Sequence, residues 1–141
     1  MARTIQSVGL SIKRVQHRHH RALNSALAEL GISLVQWDAM RHLRAQPDAS
    51  LHDLAQLTFQ TDQSFGALAG RMVDGGLLER VPGPGRVVRH RLTERGRALL
   101  AAGDALVERA LTRSFAALSP RQVDQLGHLL ELMLKTPLDD D

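Results

Sequence analysis

Apolar residues in the first part of the chain recur at three- and four-residue spacing. Ile5, Val8, Ile12, Val15, His19, Ala22 and Ala26 fall on one helical stripe. The pattern predicts a helix from near the N-terminus to about Leu30, closed by Gly31, a residue suited to a left-handed C-terminal position. Ser33-Leu34-Val35-Gln36 then reads as a capping box that opens a second helix, with Val35, Ala39, Met40 and Leu43 inward until Pro47. Ser50-Leu51-His52-Asp53 opens a short third helix carrying Leu51, Leu54, Ala55 and Leu57. Thr61 is placed to cap a fourth, whose inward stripe is Phe65, Leu68, Ala69 and Met72 and whose end is Gly75-Gly76.

The period changes after that glycine pair. Leu77 to Val81 reads as a strand, Pro82-Gly83-Pro84-Gly85-Arg86 as a reversal, and Val87 to Leu92 as a returning strand that carries arginines. A fifth helix is expected from about Thr93 to Phe115. Ser119-Pro120-Arg121-Gln122 starts a sixth, with Pro in its favoured first-turn position and Val123, Leu126, Leu130 and Met133 on its apolar face. Two short helices joined by a tight turn and followed by a hairpin make a winged helix-turn-helix. The fold class is therefore mainly α with a small β-hairpin wing, and the N- and C-terminal helices form a dimerisation region. With 141 residues the chain is one domain: residues 33–92 form the winged lobe, 1–30 and 98–136 the dimerisation helices, and 137–141 an acidic tail. The long terminal helices find no partner in so small a core, so their stripes predict a homodimer.

Composition narrows the chemistry. There is no cysteine, which excludes disulfides, thiol redox switches and thiolate zinc sites. No apolar run approaches the ~20 residues of a membrane span, and Lys13 and Arg14 interrupt any signal-peptide core. A cytoplasmic chain with no membrane partner is expected. The net charge of +3 is modest but unevenly placed. From Arg71 to Arg97 seven arginines face only Asp74, Glu79 and Glu94. A clustered surplus of that kind points to an anionic partner, double-stranded DNA. No phosphate loop, nucleophile elbow or zinc-protease motif is present, so no enzyme and no cofactor is expected.

In a helix-turn-helix the second helix enters the major groove by its first turns. Its inward stripe leaves Thr61, Gln63, Ser64, Ala67 and Arg71 outside as candidate DNA contacts. Gln63 suits adenine, whose edge needs a donor and an acceptor in one plane. Arg71 is better placed for phosphate. Arg86, at the hairpin tip, is the candidate for the minor groove, where negative potential favours guanidinium. Arg89 and Arg91 share a face of the returning strand by period two, to meet phosphates or brace the strand. Three residues are candidates for a small-molecule site. Trp37 would offer a ring and a free indole N–H, Arg41 a cation, and His19 a titratable group on the apolar stripe; each also has a purely structural reading. His17 and His20 share a helix face without a nearby carboxylate, and are read as solvated residues, with no metal site.

The chain resembles the MarR family of bacterial transcriptional regulators over most of its length. The likeness is strongest over Val35-Gln36-Trp37-Asp38-Ala39-Met40-Arg41-His42-Leu43, over Leu51-His52-Asp53-Leu54-Ala55, and from Gly76 to Leu100. Arg91-Leu92-Thr93-Glu94-Arg95-Gly96 looks like the family's junction between wing and helix. The resemblance implies an obligate homodimer that binds palindromic operators, usually as a repressor. It also implies release by a small, often phenolic or anionic, effector between the dimer helices and the DNA-binding lobe. Two positions depart from the pattern. Pro84 stands where the family wing carries an Asp, in a loop about two residues short, and Ala67 stands where an Arg is frequent. The expected function is a ligand-responsive dimeric repressor. The alternatives are a winged-helix DNA-binding protein with no effector, or a protein-interaction module.

Overall fold

In the computed structural model, residues 2–85 and 87–138 are described. Their order is α1 (Ile5–Ala28), α2 (Leu34–Ala45), α3 (Leu51–Leu57), α4 (Asp62–Asp74), β1 (Leu78–Pro82), β2 (Val88–Leu92), α5 (Glu94–Ser114) and α6 (Pro120–Leu134). The helix starts follow from local chemistry. Each begins after a Ser or Thr whose hydroxyl accepts from an orphan backbone N–H: Thr4, Ser33, Ser50, Thr61, Thr93 and Ser119. Ser33, Ser50 and Ser119 form full capping boxes with Gln36, Asp53 and Gln122. Gly31 and Gly76 take left-handed backbone, φ 74° and 76°, where the chain leaves α1 and α4.

The core lies where α2, α3 and α4 meet the inner faces of α1 and α5. Phe65, Leu27, Met40, Leu54, Met72 and Leu100 are its largest fully buried side chains. The inward stripe expected for α4 is the one observed, with Phe65, Leu68, Ala69 and Met72 all buried. On α1 the apolar stripe does not turn to the core of its own chain. Within the chain its buried residues are Leu23 and Leu27, whereas Ile5, Val8, Ile12, Val15 and Ala22 are exposed. The face of α1 that packs on α5 is thus not the stripe read from the sequence. That stripe is a second apolar face, left without a partner inside one chain.

The wing is a two-stranded antiparallel sheet in which Leu78 pairs Leu92, Glu79 pairs Arg91, Arg80 pairs His90 and Val81 pairs Arg89. Its root is locked to α5. The Thr93 hydroxyl donates to the Gly76 carbonyl at 2.5 Å, and Arg97 donates to the Leu92 carbonyl at 2.9 Å. Gly96 is buried against Leu77, and a Cβ there would overlap the Leu77 carbonyl. The end of α4, the wing and the start of α5 are therefore one connected unit.

Candidate nucleic-acid interface

Thr61 caps α4 by accepting from the Ser64 amide at 3.1 Å. Because Phe65, Leu68, Ala69 and Met72 are consumed by the core, the helix presents Thr61, Gln63, Ser64, Ala67 and Arg71, all exposed. Among the described residues no side-chain bond ties down Gln63 or Arg71. The start of α4 is anchored to α3 by His52, whose Nδ1 lies 2.8 Å from an Asp62 carboxylate oxygen. The first-turn amides of such a helix carry a partial positive charge, which favours an anionic partner at this end. On α3, Asp53 accepts from the Ser50 amide at 2.9 Å. Hydrogen bonds from Ser50 hold its carboxyl below the ordinary 3.8.

The wing arginines are not equivalent. Arg91 is exposed and donates to Glu79 across the sheet at 2.7 Å. Arg89 is half-buried and folds back onto the Asp48 carbonyl, while its backbone bridges Ser50. Arg86, the expected tip contact, lies outside the described residues. Two cations that sequence reasoning passed over, Arg80 and Arg95, are exposed beside the wing. Arg80 pairs His90, on the face opposite to that of Arg89 and Arg91, so period two counted from those arginines does not reach it.

Behind the wing lies a cleft of about 750 Å3 between the end of α2, both strands and the start of α5. Leu43, Pro47, Val81 and Leu92 give it apolar walls, and Arg44, Arg97 and His90 give it polar ones. His90 is 4% exposed. Among the described residues, its Nδ1 and the Arg89 Nε are the buried side-chain polar atoms without a hydrogen-bond partner. Burial, then the nearby Arg80 charge, pushes the His90 imidazole below its ordinary 6.5, so it is neutral at physiological pH.

The three residues expected at a small-molecule site lie elsewhere, with their polar groups in use. The Trp37 indole N–H is not free: it donates to Asp104 at 3.0 Å, and Arg44 grips the same carboxylate at 2.6 Å. Arg41 donates to Asp38 at 2.7 Å, with its guanidinium carbon 5.5 Å from the centre of the Trp37 ring. His19 bonds the Ser114 hydroxyl at 2.5 Å and packs near Phe115. His19 lines two small cavities, of about 290 and 220 Å3, beside α5. The Asp104 link to Trp37 spans 67 positions and carries no local sequence signal.

A family model described as "MarR family" matches residues 30–86. The HTH-type transcriptional repressor Rv2887 of Mycobacterium tuberculosis is 31% identical over 111 residues, which is 77% of this chain and 80% of that protein. The chain belongs to the MarR family. It is a winged helix-turn-helix transcriptional regulator and not an enzyme. Among solved structures, Rv2887 in complex with DNA matches this MarR-family chain with a TM-score of 0.76 and 27% identity, covering 96% of this chain and 100% of that one. Rv2887 in complex with salicylic acid matches with a TM-score of 0.75 and 27% identity, covering 94% and 97%. Among the described residues no helix is long and apolar enough to cross a membrane.

Proposed function

We propose that the chain is a homodimeric repressor that works in the cytoplasm on a palindromic operator and is released by a small anionic aromatic effector in the cleft behind the wing. The exposed polar edge at the start of α4, beside a basic hairpin, is the observation that carries the DNA half of this reading. Gln63 reads an adenine edge, Ala67 lies close to a thymine methyl, and Thr61 and Ser64 donate to phosphate or base. Arg71, Arg80 and Arg86 supply charge along the backbone. Arg89 braces the wing on Asp48. Arg91 exchanges its exposed Glu79 partner for phosphate, since a surface pair of this kind contributes only about 0–1 kcal/mol. Two copies put two α4 helices one duplex turn apart, ~34 Å.

The effector half rests on the cleft itself, whose apolar walls carry His90 beside Arg44 and Arg97. A molecule seated there wedges between the wing and α2 and competes with the Arg89 bond to Asp48. It need only bind the released state better than the DNA-bound one by a few kcal/mol. The similar protein Rv2887 has been crystallised with salicylic acid, which makes salicylate the first probe.

A mobility-shift titration on the duplex upstream of the chain's own gene tests both halves. Retardation at low salt that weakens steeply as salt rises, and is reversed by millimolar salicylate, is expected. His90→Leu should bind the same duplex and need several-fold more salicylate. No retardation at low salt defeats the DNA reading. Retardation indifferent to a panel of aromatic carboxylates defeats the effector reading alone.

A further inference from the structure

The turn between α3 and α4 contains a residue that the fold itself disfavours twice. Phe59 is 96% exposed and has φ 57°, which makes it the one non-glycine residue with positive φ among those described. The turn is a complete Schellman closure. The Phe59 amide donates to the Gln56 carbonyl at 3.1 Å, and the Gln60 amide donates to the Ala55 carbonyl at 2.8 Å. Glycine is the usual occupant of the left-handed position in that motif, because a Cβ is strained there. An apolar residue commonly follows it and packs on the helix. Here the order is reversed. The polar Gln60 follows and turns its amide to the Thr58 hydroxyl at 3.2 Å, while the aromatic ring stands in solvent. The Thr58 hydroxyl in turn donates to Leu54 at 2.7 Å, so both neighbours of Phe59 are fixed. The backbone is over-determined, and the ring is presented rather than packed.

The ring is presented at the leading end of α4, two residues before the cap Thr61. That end of a recognition helix enters the major groove first. The groove floor offers hydrogen-bonding groups at every base pair but only one apolar group, the C5-methyl of thymine. We propose that Phe59 is a specificity-determining residue, whose ring covers the methyl of one thymine in each half-site. The inference rests on α4 being the DNA-reading helix. It adds an apolar discriminator that neither Gln63 nor the wing provides. It also gives a function to a strained, solvent-facing aromatic that the fold does not use.

The test is selection from a pool of randomised duplexes with the full chain and with Phe59→Gly. The wild type should enrich a thymine at one fixed position per half-site, and the variant should lose that preference while keeping the others. Replacing that thymine by uracil, which removes only the methyl, should weaken wild-type binding about fourfold per half-site and leave the variant unaffected. The variant's melting temperature should be unchanged or about 3 °C higher, because the strain is gone. Identical enrichment by both proteins, or equal sensitivity to uracil, overturns the inference and leaves the DNA reading standing. A lower melting temperature together with uniformly weaker binding overturns it in favour of a structural role. A contact with a protein partner would appear as unchanged DNA selection, and so also overturns it. A wild type that enriches nothing at low salt removes the DNA reading and this inference together.

Discussion

At the scale of single residues, His90 concentrates the tension of the wing root. Its ring is buried on the inner face of β2, opposite Arg80 in the register, with Nδ1 unpartnered. An unsatisfied buried polar atom costs about 1–3 kcal/mol. Burial also holds the imidazole below 6.5, so the unfolded chain takes up a proton before the folded one does. Stability from this group is therefore complete above about pH 6.5 and declines as the pH falls below it. Asp53 acts further down. Its carboxyl is held below 3.8 by Ser50, so its contribution is present above that value and lost as the pH falls through its folded value. His90→Leu removes both the orphan nitrogen and the titration. Its expected effect is an equal or higher melting temperature at pH 7.5, by up to about 1–2 kcal/mol of stability, and a much flatter profile down to pH 5.5. A wild-type melting temperature that stays level across this interval contradicts the assignment.

At the scale of elements, the parts written locally were legible and the parts written at a distance were not. Ser33, Ser50, Thr61 and Ser119 announce their helices within four residues, and the Gly75-Gly76 pair announces the end of α4. The stripe of α4 fixes its outward residues by elimination, which is why Gln63 and Arg71 could be named beforehand. Nothing local reveals that Arg89 bends onto Asp48, 41 positions away. Nothing local marks Phe59 either, and only the backbone shows that a Schellman turn holds it in water. The same separation of local and distant divides the wing arginines. Arg89 is consumed by the root, so on the proposed function the hairpin meets DNA through residues nearer its end. Arg86 follows Gly85, which is left-handed at φ 68°. Arg86→Ala should therefore weaken operator and random duplex alike. It should make the log-log salt dependence shallower by about one unit without altering the oligomeric state. An unchanged slope removes Arg86 from the interface.

At the scale of the whole molecule, the proposed homodimer rests on the apolar surface that one chain leaves uncovered. No residue of α6 is buried, and it makes almost no contact with the other elements, yet it carries Val123, Leu129, Leu130, Leu132 and Met133 into solvent. A helix of its 15 residues is marginal in water without tertiary packing. The other terminus is alike: every described residue from 2 to 18 is exposed, including Ile5, Val8, Ile12 and Val15. The stripe that fails to face the core of its own chain is thus available to α6 and α1 of a second copy. Closing these two faces on each other would also set the distance between the two α4 helices. The dimer is then part of the DNA-reading geometry as well as of stability. Ile12→Asp and Leu126→Asp each place a charge on this seam, where an unpaired buried charge costs about 3–5 kcal/mol. Either should halve the mass seen by light scattering or unfold the chain. Either should also abolish the rise of melting temperature with protein concentration that a dimer displays. Arg14→Asp puts the same charge on the opposite side of α1, two residues away, and should leave the mass unchanged. If Ile12→Asp remains a folded dimer with wild-type operator affinity, the terminal stripes are not the seam, and the spacing of the two reading helices must be set elsewhere.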